Sequence, residues 1–278
     1  MKTVIITGAS SGIGKEFAVS IDQKFSPDYM WLIGRHTDRL RDTAALLKCS
    51  AEIVTLDLAE SESYEALENK LKKEKPQIQF LVNAAGFGKF GSVWSLHSED
   101  AENIINVNIK ALTMITKMCL PFMAEKGSII NMSSASAFVP LPYFNIYSAS
   151  KAYVLNFSQA LSFELRKTDI SVIAVCPYWV ASDFIATAQD SPDGYAVNNF
   201  LFITYPFKVV RKALSDIKFS RTVSLSGCIP VMIKYLSKVL SVRTQNIIWN
   251  VTRKITLPDS QIPPVQWLGQ EYPDRLNQ

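Results

Sequence analysis

Short apolar runs alternate with longer amphipathic stretches along the first 180 residues. The runs, at residues 3–7, 29–34, 51–56, 79–83, 128–132 and 171–176, are predicted strands. Several contain continuous apolar stretches, which are typical of strands buried on both faces of a parallel sheet. Helical periodicity occupies residues 13–24, 37–47, 61–75, 101–118 and 147–166. The alternation predicts an α/β fold with a doubly wound parallel sheet, a Rossmann fold built from right-handed βαβ units.

The last third of the chain departs from this rhythm. Residues 183–206 contain Pro192, Asp193-Gly194 and several aromatic residues, and we interpret them as a substrate lid before a final strand near residues 222–225. Residues 229–257 indicate one or two basic amphipathic helices, and a tail containing prolines follows at 258–278. Because no linker separates these parts, we expect a single Rossmann-type catalytic domain over residues 1–278 with a basic C-terminal extension at 229–278.

Composition narrows the class of protein. With 278 residues, 48% hydrophobic and 19% charged, the chain is an ordinary globular protein rather than a disordered, collagenous or coiled-coil one. Two histidines are too few for a histidine-rich metal centre, so we expect no metal. The start of the chain does not resemble a signal peptide, and no apolar run approaches the roughly 18 residues of a spanning helix. We therefore expect a cytoplasmic protein, in keeping with four scattered cysteines, Cys49, Cys119, Cys176 and Cys228.

The net charge is +4, but the charged residues are distributed unevenly along the chain. Residues 205–257 contain ten Lys and Arg against Asp216, a net charge of +9, whereas residues 1–204 carry −3 and residues 258–278 carry −2. A basic C-terminal quarter is compatible with an anionic ligand, with peripheral contact to a membrane, or with a merely solvated face. Nucleic-acid binding is not expected, because no known module is present and the body is acidic.

A glycine-rich turn follows the first predicted strand directly. In Thr7-Gly8-Ala9-Ser10-Ser11-Gly12-Ile13-Gly14 the glycines allow a tight turn and close approach of a pyrophosphate, and the following helix offers its N-terminus. The turn therefore predicts a dinucleotide site, with these cofactor-binding residues: Gly8, Ser10, Ser11, Gly12, Ile13 and Gly14. A nucleophile elbow would need a downstream acid and histidine, and a P-loop would need Gly-Lys-Ser/Thr, so both alternatives fail.

The end of the second strand indicates which dinucleotide binds. NAD-specific folds place an acid there to hold the ribose hydroxyls, but this strand ends on Gly34 and is followed by Arg35. A guanidinium can bind the 2′-phosphate of NADP with two hydrogen bonds, worth roughly a ten- to hundredfold preference. We therefore predict NADP(H), although Arg35 could also be a solvated surface residue.

A tyrosine and a lysine four residues apart open the helix predicted at 147–166. The spacing places Tyr147 and Lys151 on one face. A phenol with a pKa near 10 needs about 4 kcal/mol to titrate near pH 7, which an ammonium about 4 Å away supplies at an effective dielectric of about 20. The pair alone is common, but here it accompanies the glycine turn, Asn83-Ala84-Ala85-Gly86 and Ser133-Ser134.

In this combination and order, the motifs resemble those of the short-chain dehydrogenase/reductase family over about residues 3–182. The resemblance implies that Tyr147 transfers a proton and that Ser134, thirteen residues earlier, holds the substrate oxygen. It implies that Lys151 lowers the pKa of the tyrosine and binds the nicotinamide ribose, and that Asn108 positions a water that links Lys151 to solvent. These four are the predicted catalytic residues, and such roles suit an oxygen that exchanges a proton while hydride moves.

The same resemblance implies further cofactor contacts. Besides the glycine turn and Arg35, they are Asp57, Leu58, Asn83, Ala84, Gly86, Tyr147, Lys151, Pro177, Val180 and Ser182. The chain departs from the family pattern in three places. Ala84 replaces the second asparagine of the family's Asn-Asn-Ala-Gly, Tyr178 replaces the glycine of Pro-Gly, and Ser182 replaces a threonine. The change at Tyr178 leaves the predicted catalytic residues in place but puts the geometry of the substrate pocket in doubt.

Apolar side chains dominate the segments in which the family forms its substrate pocket. They are Phe87, Phe90, Trp94, Phe138, Val139, Pro140, Leu141, Tyr143, Tyr178, Trp179, Phe184, Tyr195, Phe200 and Phe202. About half could be ordinary core residues. The set favours a hydrophobic ketone or secondary alcohol, steroid-like as first choice and a 3-oxoacyl chain as second.

The remaining expectations concern assembly and alternative functions. Helices 101–118 and 147–166 show apolar residues on more than one face, for example Leu155, Phe157, Leu161 and Phe163. In the family such helices pair across a two-fold axis, so we expect a homodimer or homotetramer. Two other functions on the same fold stay open: a non-catalytic NADP-sensing regulator, which would be expected to lack a catalytic residue, and a peripheral membrane protein.

Overall fold

Seven parallel strands form one sheet in the computed structural model, which describes residues 2–192, 200 and 202–256. The strand order is β3-β2-β1-β4-β5-β6-β7, so the chain crosses over after β3 and the sheet is doubly wound as predicted. The strands are β1 Lys2–Thr7, β2 Tyr29–Gly34, β3 Ser50–Thr55, β4 Gln77–Asn83, β5 Met123–Met132, β6 Ser171–Val175 and β7 Val223–Ser224. The predicted fold class is confirmed.

Helices connect and cover these strands. They are α1 Gly12–Phe25, α2 Thr37–Ala44, α3 Glu62–Glu74, α4 Ser98–Ile105, α5 Leu112–Cys119, α6 Asn145–Glu164, α7 Phe184–Gln189, α8 Pro206–Lys218, α9 Cys228–Val239 and α10 Val242–Thr256. The helix predicted at 101–118 is interrupted by a π-helical segment, Asn106–Ala111, between α4 and α5. Helix α8 was not predicted. It can begin at Pro206 because a proline at the first helical position needs no N–H partner.

The alternation of side chains along β1 divides the core between the two faces of the sheet. Val4 and Ile6 face one cluster, to which α1 adds Phe17 and α8 adds Val209. Ile5 faces the opposite cluster with Leu67 of α3 and Ile115 of α5. Burial on both faces explains why consecutive residues such as Val4, Ile5 and Ile6 are all apolar.

The C-terminal extension begins with two helices, α9 and α10, which we call the roof helices. The Gln245 side chain joins them by donating to the backbone oxygens of Ser237 at 3.1 Å and Leu240 at 2.8 Å. Within the described part of the chain, no helix is long and apolar enough to cross a bilayer. Residues 193–199 and 201 of the predicted lid, including Tyr195, and the tail at 258–278 lie outside the described residues.

Candidate active site

A cavity of about 890 Å³ opens at the carboxyl ends of the strands. The glycine turn after β1 forms one end of its wall, together with residues that follow β2, β3 and β4. Residues after β5 and β6, the start of α6, α7 and the roof helices form the other end. A crevice at this edge of a doubly wound sheet is where such folds bind their ligands.

Backbone packing shapes the glycine turn. A Cβ at Gly14 would lie 2.1 Å from the carbonyl oxygen of Gly8, and a Cβ at Gly8 would lie 2.7 Å from the Ala85 nitrogen. The turn thus sits against α1 on one side and the residues after β4 on the other. Gly8 has φ of +68°, a left-handed conformation that glycine adopts without strain. This close-packed turn, with the N-terminus of α1 on the cavity wall, fits a bound pyrophosphate.

Two guanidinium groups lie beyond the turn. Arg35, just after β2, lines the cavity, and its Nη1 lies 3.7 Å from Oδ2 of Asp57. Arg39, one helical turn along in α2, lines the same wall, and its Nη1 lies 2.8 Å from Oδ2 of Asp183. Arg39 was not among the predicted cofactor contacts, although it lies in the first turn of the helix that follows β2. Neither guanidinium is buried, so both can reach an anion in the cleft.

The two adjacent serines that follow β5 make different hydrogen bonds. Ser133 donates its hydroxyl to the backbone oxygen of Lys151 at 2.8 Å and so holds α6 against the strand. Ser134 makes a side-chain hydrogen bond with Tyr147 and accepts from the Ser136 nitrogen at 3.1 Å. Ser134 is thus the serine beside the phenol.

Tyr147 and Lys151 are both buried at the cavity wall. Burial raises the pKa of Tyr147 above its usual range, and the hydrogen bond with Ser134 offsets part of that rise. Burial also lowers the pKa of Lys151 to about 8. The Lys151 ammonium donates to the Met132 backbone oxygen at 2.9 Å and lies 5.5 Å from the Tyr147 ring centroid. Burial is the largest cause of both shifts. The role predicted for Lys151, to lower the pKa of Tyr147 toward 7, stays a prediction.

Asn108 lies within the π-helical segment and is fully buried. Its Oδ1 accepts from the Phe87 nitrogen at 3.1 Å, and its Nδ2 donates to the Phe87 oxygen at 2.9 Å and to Ser150 Oγ at 3.0 Å. The side chain thereby fixes the loop after β4 against α6.

Most of the residues predicted to bind a cofactor do line the cavity. They are Gly8, Ser10, Ser11, Gly12, Ile13, Gly14, Arg35, Asp57, Leu58, Ala84, Gly86, Tyr147, Lys151, Pro177, Val180 and Ser182. Asn83 lies behind the wall: its Nδ2 donates to Thr116 Oγ1 and Asn131 Oδ1, both at 2.9 Å. Its amide therefore ties β4 to β5 and α5 rather than facing the cleft.

Aromatic rings surround Tyr147. The Phe144 ring stacks on it with centroids 4.4 Å apart, and the Phe184 ring of α7 lies 5.3 Å away. Above them the roof helices contribute apolar cavity-lining residues: Ile229, Met232, Ile233, Leu236, Leu240, Ile248 and Trp249. Trp249 Nε1 donates to the Pro142 oxygen at 2.9 Å, which anchors α10 to the loop before α6.

The predicted substrate residues divide into three groups. Those on the cavity wall are Phe87, Val139, Leu141, Tyr178, Trp179 and Phe184. Phe90 is fully buried, and Phe138, Tyr143 and Phe200 pack into apolar clusters. Trp94, Pro140 and Phe202 are exposed. The roof residues were not predicted, although the spacing of Ile229, Ile233 and Leu236 is helical and could have indicated a second apolar face beside the basic one.

The profile of the family described as short chain dehydrogenase matches residues 2–193. The chain therefore belongs to the short-chain dehydrogenase family of oxidoreductases, as the motifs indicated. The match ends before α8 and the roof helices.

Among the relatives, very-long-chain 3-oxoacyl-CoA reductase-A of Danio rerio is 35% identical over 192 residues, which are 65% of this chain and 59% of the relative. The very-long-chain 3-oxoacyl-CoA reductase of Rattus norvegicus is 31% identical over 205 residues, 71% of this chain and 65% of the relative. The matched part thus spans less than two thirds of either relative. The structure also resembles a short-chain dehydrogenase from Sphingobium yanoikuyae in complex with NADPH, with a TM-score of 0.71 at 29% identity over 81% of this chain and 87% of that one.

Proposed function

We propose that the protein is an NADP(H)-dependent oxidoreductase that interconverts a hydrophobic ketone and a secondary alcohol. The observation that carries this proposal is the meeting of Ser134, Tyr147 and Lys151 on the wall of one cavity whose far end presents Arg35. We further propose that residues 1–278 act as one catalytic domain.

The proposed chemistry centres on the Tyr147 phenol. Because burial raises its pKa, Tyr147 keeps its proton at neutral pH and can donate it to a carbonyl oxygen during reduction. The Ser134 hydroxyl, already beside the phenol, donates a second hydrogen bond to the same oxygen. Asn108 would position a water that links Lys151 to solvent, and this water would restore the proton. When bound, the nicotinamide supplies or accepts the hydride.

The preference for NADP(H) is supported by charge. The glycine turn would hold the pyrophosphate and Lys151 the nicotinamide ribose, and Arg35 would bind the 2′-phosphate where an NAD-specific site needs a carboxylate. Arg39 adds a second cation on the same wall. The Sphingobium yanoikuyae protein, a structural relative at 29% identity, is described in complex with NADPH.

The substrate end supports a bulky apolar carbonyl compound. Phe144, Phe184 and Trp179 line it from below and the roof helices from above, which suits a long or rigid apolar molecule better than a sugar. The names of the two relatives favour a 3-oxoacyl thioester, our second choice from sequence, and a keto-steroid is the competing substrate.

Assembly into a homodimer or homotetramer is the remaining part of the proposal. Tyr153 and Phe163 of α6 are exposed and could form a contact between copies. Leu155 and Leu161 pack into the protein's own core and therefore supply no such contact.

The test is the absorbance change of NADPH and NADH, measured in parallel with 3-oxoacyl thioesters, keto-steroids, aromatic aldehydes and a sugar ketone. We expect NADPH oxidation with one apolar class and its loss in Tyr147→Phe. Turnover of the sugar ketone alone would overturn the substrate class. NADPH binding with no turnover of any compound would favour the sensor function instead.

A further inference from the structure

The roof helices have a second apolar face that does not line the cavity. We define this outer face by Val231, Tyr235 and Val239 of α9 and Ile247 and Val251 of α10. All five side chains are between 37% and 76% exposed. Val231, Tyr235 and Val239 are spaced by four residues, so they form one stripe along α9. An apolar stripe normally faces a core, and this one faces outward.

Basic residues border the outer face. Lys234 and Lys238 adjoin Tyr235 and Val239 in α9, and Arg243 is the second residue of α10. The Lys234 ammonium lies 5.9 Å from the Tyr235 ring centroid, so its stem runs beside the apolar stripe. Residues 217–258 contain seven Lys and Arg and no Asp or Glu. The outer face therefore combines exposed apolar groups with charge of a single sign.

The apolar groups and the positive charge of the outer face can be compared with three surfaces that could cover it: a second copy of the chain, the tail and a lipid bilayer. A two-fold contact between copies through α9 and α10 would bring lysine against lysine without an acid from the same region to compensate. The tail at 258–278 has three acids and one arginine, too few to match seven bases. An anionic bilayer surface offers negative charge at the headgroups and apolar groups just beneath them, and it matches both properties.

We infer that the outer face docks the protein peripherally onto a membrane that contains anionic lipids. Val231, Tyr235 and Val239 enter the boundary between headgroups and acyl chains, while Lys234, Lys238 and Arg243 contact the headgroups. Met232, Leu236 and Ile248 line the cavity and are themselves exposed, so the mouth of the cavity adjoins the docked face. Only this last consequence, delivery of an apolar substrate from the bilayer, rests on the proposed function.

Co-sedimentation of the full chain with vesicles tests the inference. We expect binding to vesicles of phosphatidylcholine with phosphatidylserine, weakened by salt, and little binding to phosphatidylcholine alone. Lys234→Gln/Lys238→Gln/Arg243→Gln should weaken binding about a hundredfold, since each basic residue near an anionic surface contributes about a factor of five. The matched control Lys73→Gln/Lys126→Gln/Lys167→Gln removes three exposed lysines elsewhere and should bind like the wild type.

A second pair of variants tests how much the apolar side chains contribute to vesicle binding. Tyr235→Ser/Val239→Ser should lose most of the vesicle binding, whereas Phe163→Ser, which removes an equally exposed ring from α6, should not. Equal binding to both vesicle types, no binding, or equal losses in test and control variants would overturn the inference.

Two further measurements identify another occupant of the outer face. Binding that appears only in Asp259→Asn/Glu271→Gln/Asp274→Asn would assign the face to the tail. Dissociation of an oligomer by Tyr235→Ser/Val239→Ser would assign it to a second copy. Either result overturns membrane docking. NADPH oxidation with a short water-soluble ketone, without vesicles, reports on the proposed function separately.

Discussion

The two ends of the cavity are built in different ways. At the nucleotide end, backbone atoms define the wall: Gly14 and Gly8 fit so closely that even a methyl group has no room. Helix α1, which begins at this end, buries five residues along its length, whereas α9 at the substrate end buries only Pro230. The nucleotide end therefore shares its construction with the core of the fold, and the substrate end depends on side chains that can change without disturbing the sheet.

Tyr147 lies where the two ends meet, and its removal should have the largest effect. We expect Tyr147→Phe to lower kcat by about a hundred- to ten-thousandfold, since the proton donor is lost, with little change in NADPH affinity. Steady-state kinetics and NADPH titration measure both. Tyr153→Phe, in the same helix with its hydroxyl 3.0 Å from Thr113, is the control and should keep its activity. Equal losses in both variants would remove the proposed role of Tyr147.

A methyl group at Gly14 tests the backbone-built end. Gly14→Ala should lower the free energy of unfolding by about 3 kcal/mol, because its Cβ would overlap the Gly8 carbonyl, and should abolish NADPH binding. Gly34→Ala is the matched control, since a Cβ there would come no closer than 3.5 Å to Leu40. Met232→Ser, a change to a roof residue, should cost about 0.5 kcal/mol or less. Chemical denaturation measures the free energy of unfolding of the three variants. Equal values would contradict the difference in construction between the nucleotide end and the substrate end.

Lys151 lies where the two ends of the cavity meet, and its titration makes the free energy of unfolding depend on pH. Its folded-state pKa is lowered from 10.5 to about 8, so the unfolded chain binds more protons between these values and stability rises with pH there. Lys151→Met removes this dependence. We expect the wild type to gain about 3 kcal/mol relative to the variant between pH 7 and pH 10.5. Denaturation at several pH values without cofactor measures the difference, and parallel curves would show that Lys151 is protonated throughout.

Arg35 tests selectivity at the nucleotide end. Arg35→Gln should raise the KM for NADPH about ten- to hundredfold and leave that for NADH unchanged, since only the former has a 2′-phosphate. Arg41→Gln serves as control, because Arg41 pairs with Asp38 at 2.9 Å and lies off the cavity wall. An equal rise for both cofactors would assign Arg35 a structural role.

The smallest expected effect belongs to the roof. Trp249→Phe removes the hydrogen bond to the Pro142 oxygen, so α10 is held less firmly over the substrate. We expect about a fivefold higher KM for a bulky ketone, corresponding to about 1 kcal/mol, and no change for a small one. Changes of the same size for both substrates would show that Trp249 does not act on the substrate end.

The nucleotide end could be predicted from the sequence because its determinants are local. The glycine spacing, the strand before it and Arg35 after the next strand all lie within short segments. Asn83 shows the limit: the motif located it, but only the packing of β4, β5 and α5 reveals that its amide points inward. The roof depends on contacts between α10 and a loop about 107 residues earlier, for which local periodicity carries no signal.

The segment between β6 and α8 has its two ends tied together. Val180 and Thr204 form a parallel bridge, and the Ala181 and Thr204 nitrogens donate to Thr204 and Trp179 oxygens, both at 2.9 Å. Because closure is supplied at its base, a change in the length of the segment costs about 0.6 kcal/mol of loop entropy per doubling, apart from the contacts that α7 makes with the loop after β4. Because of this bridge, the segment can be replaced without a change in the sheet. Evolution or a protein engineer can therefore vary the substrate range through this segment alone.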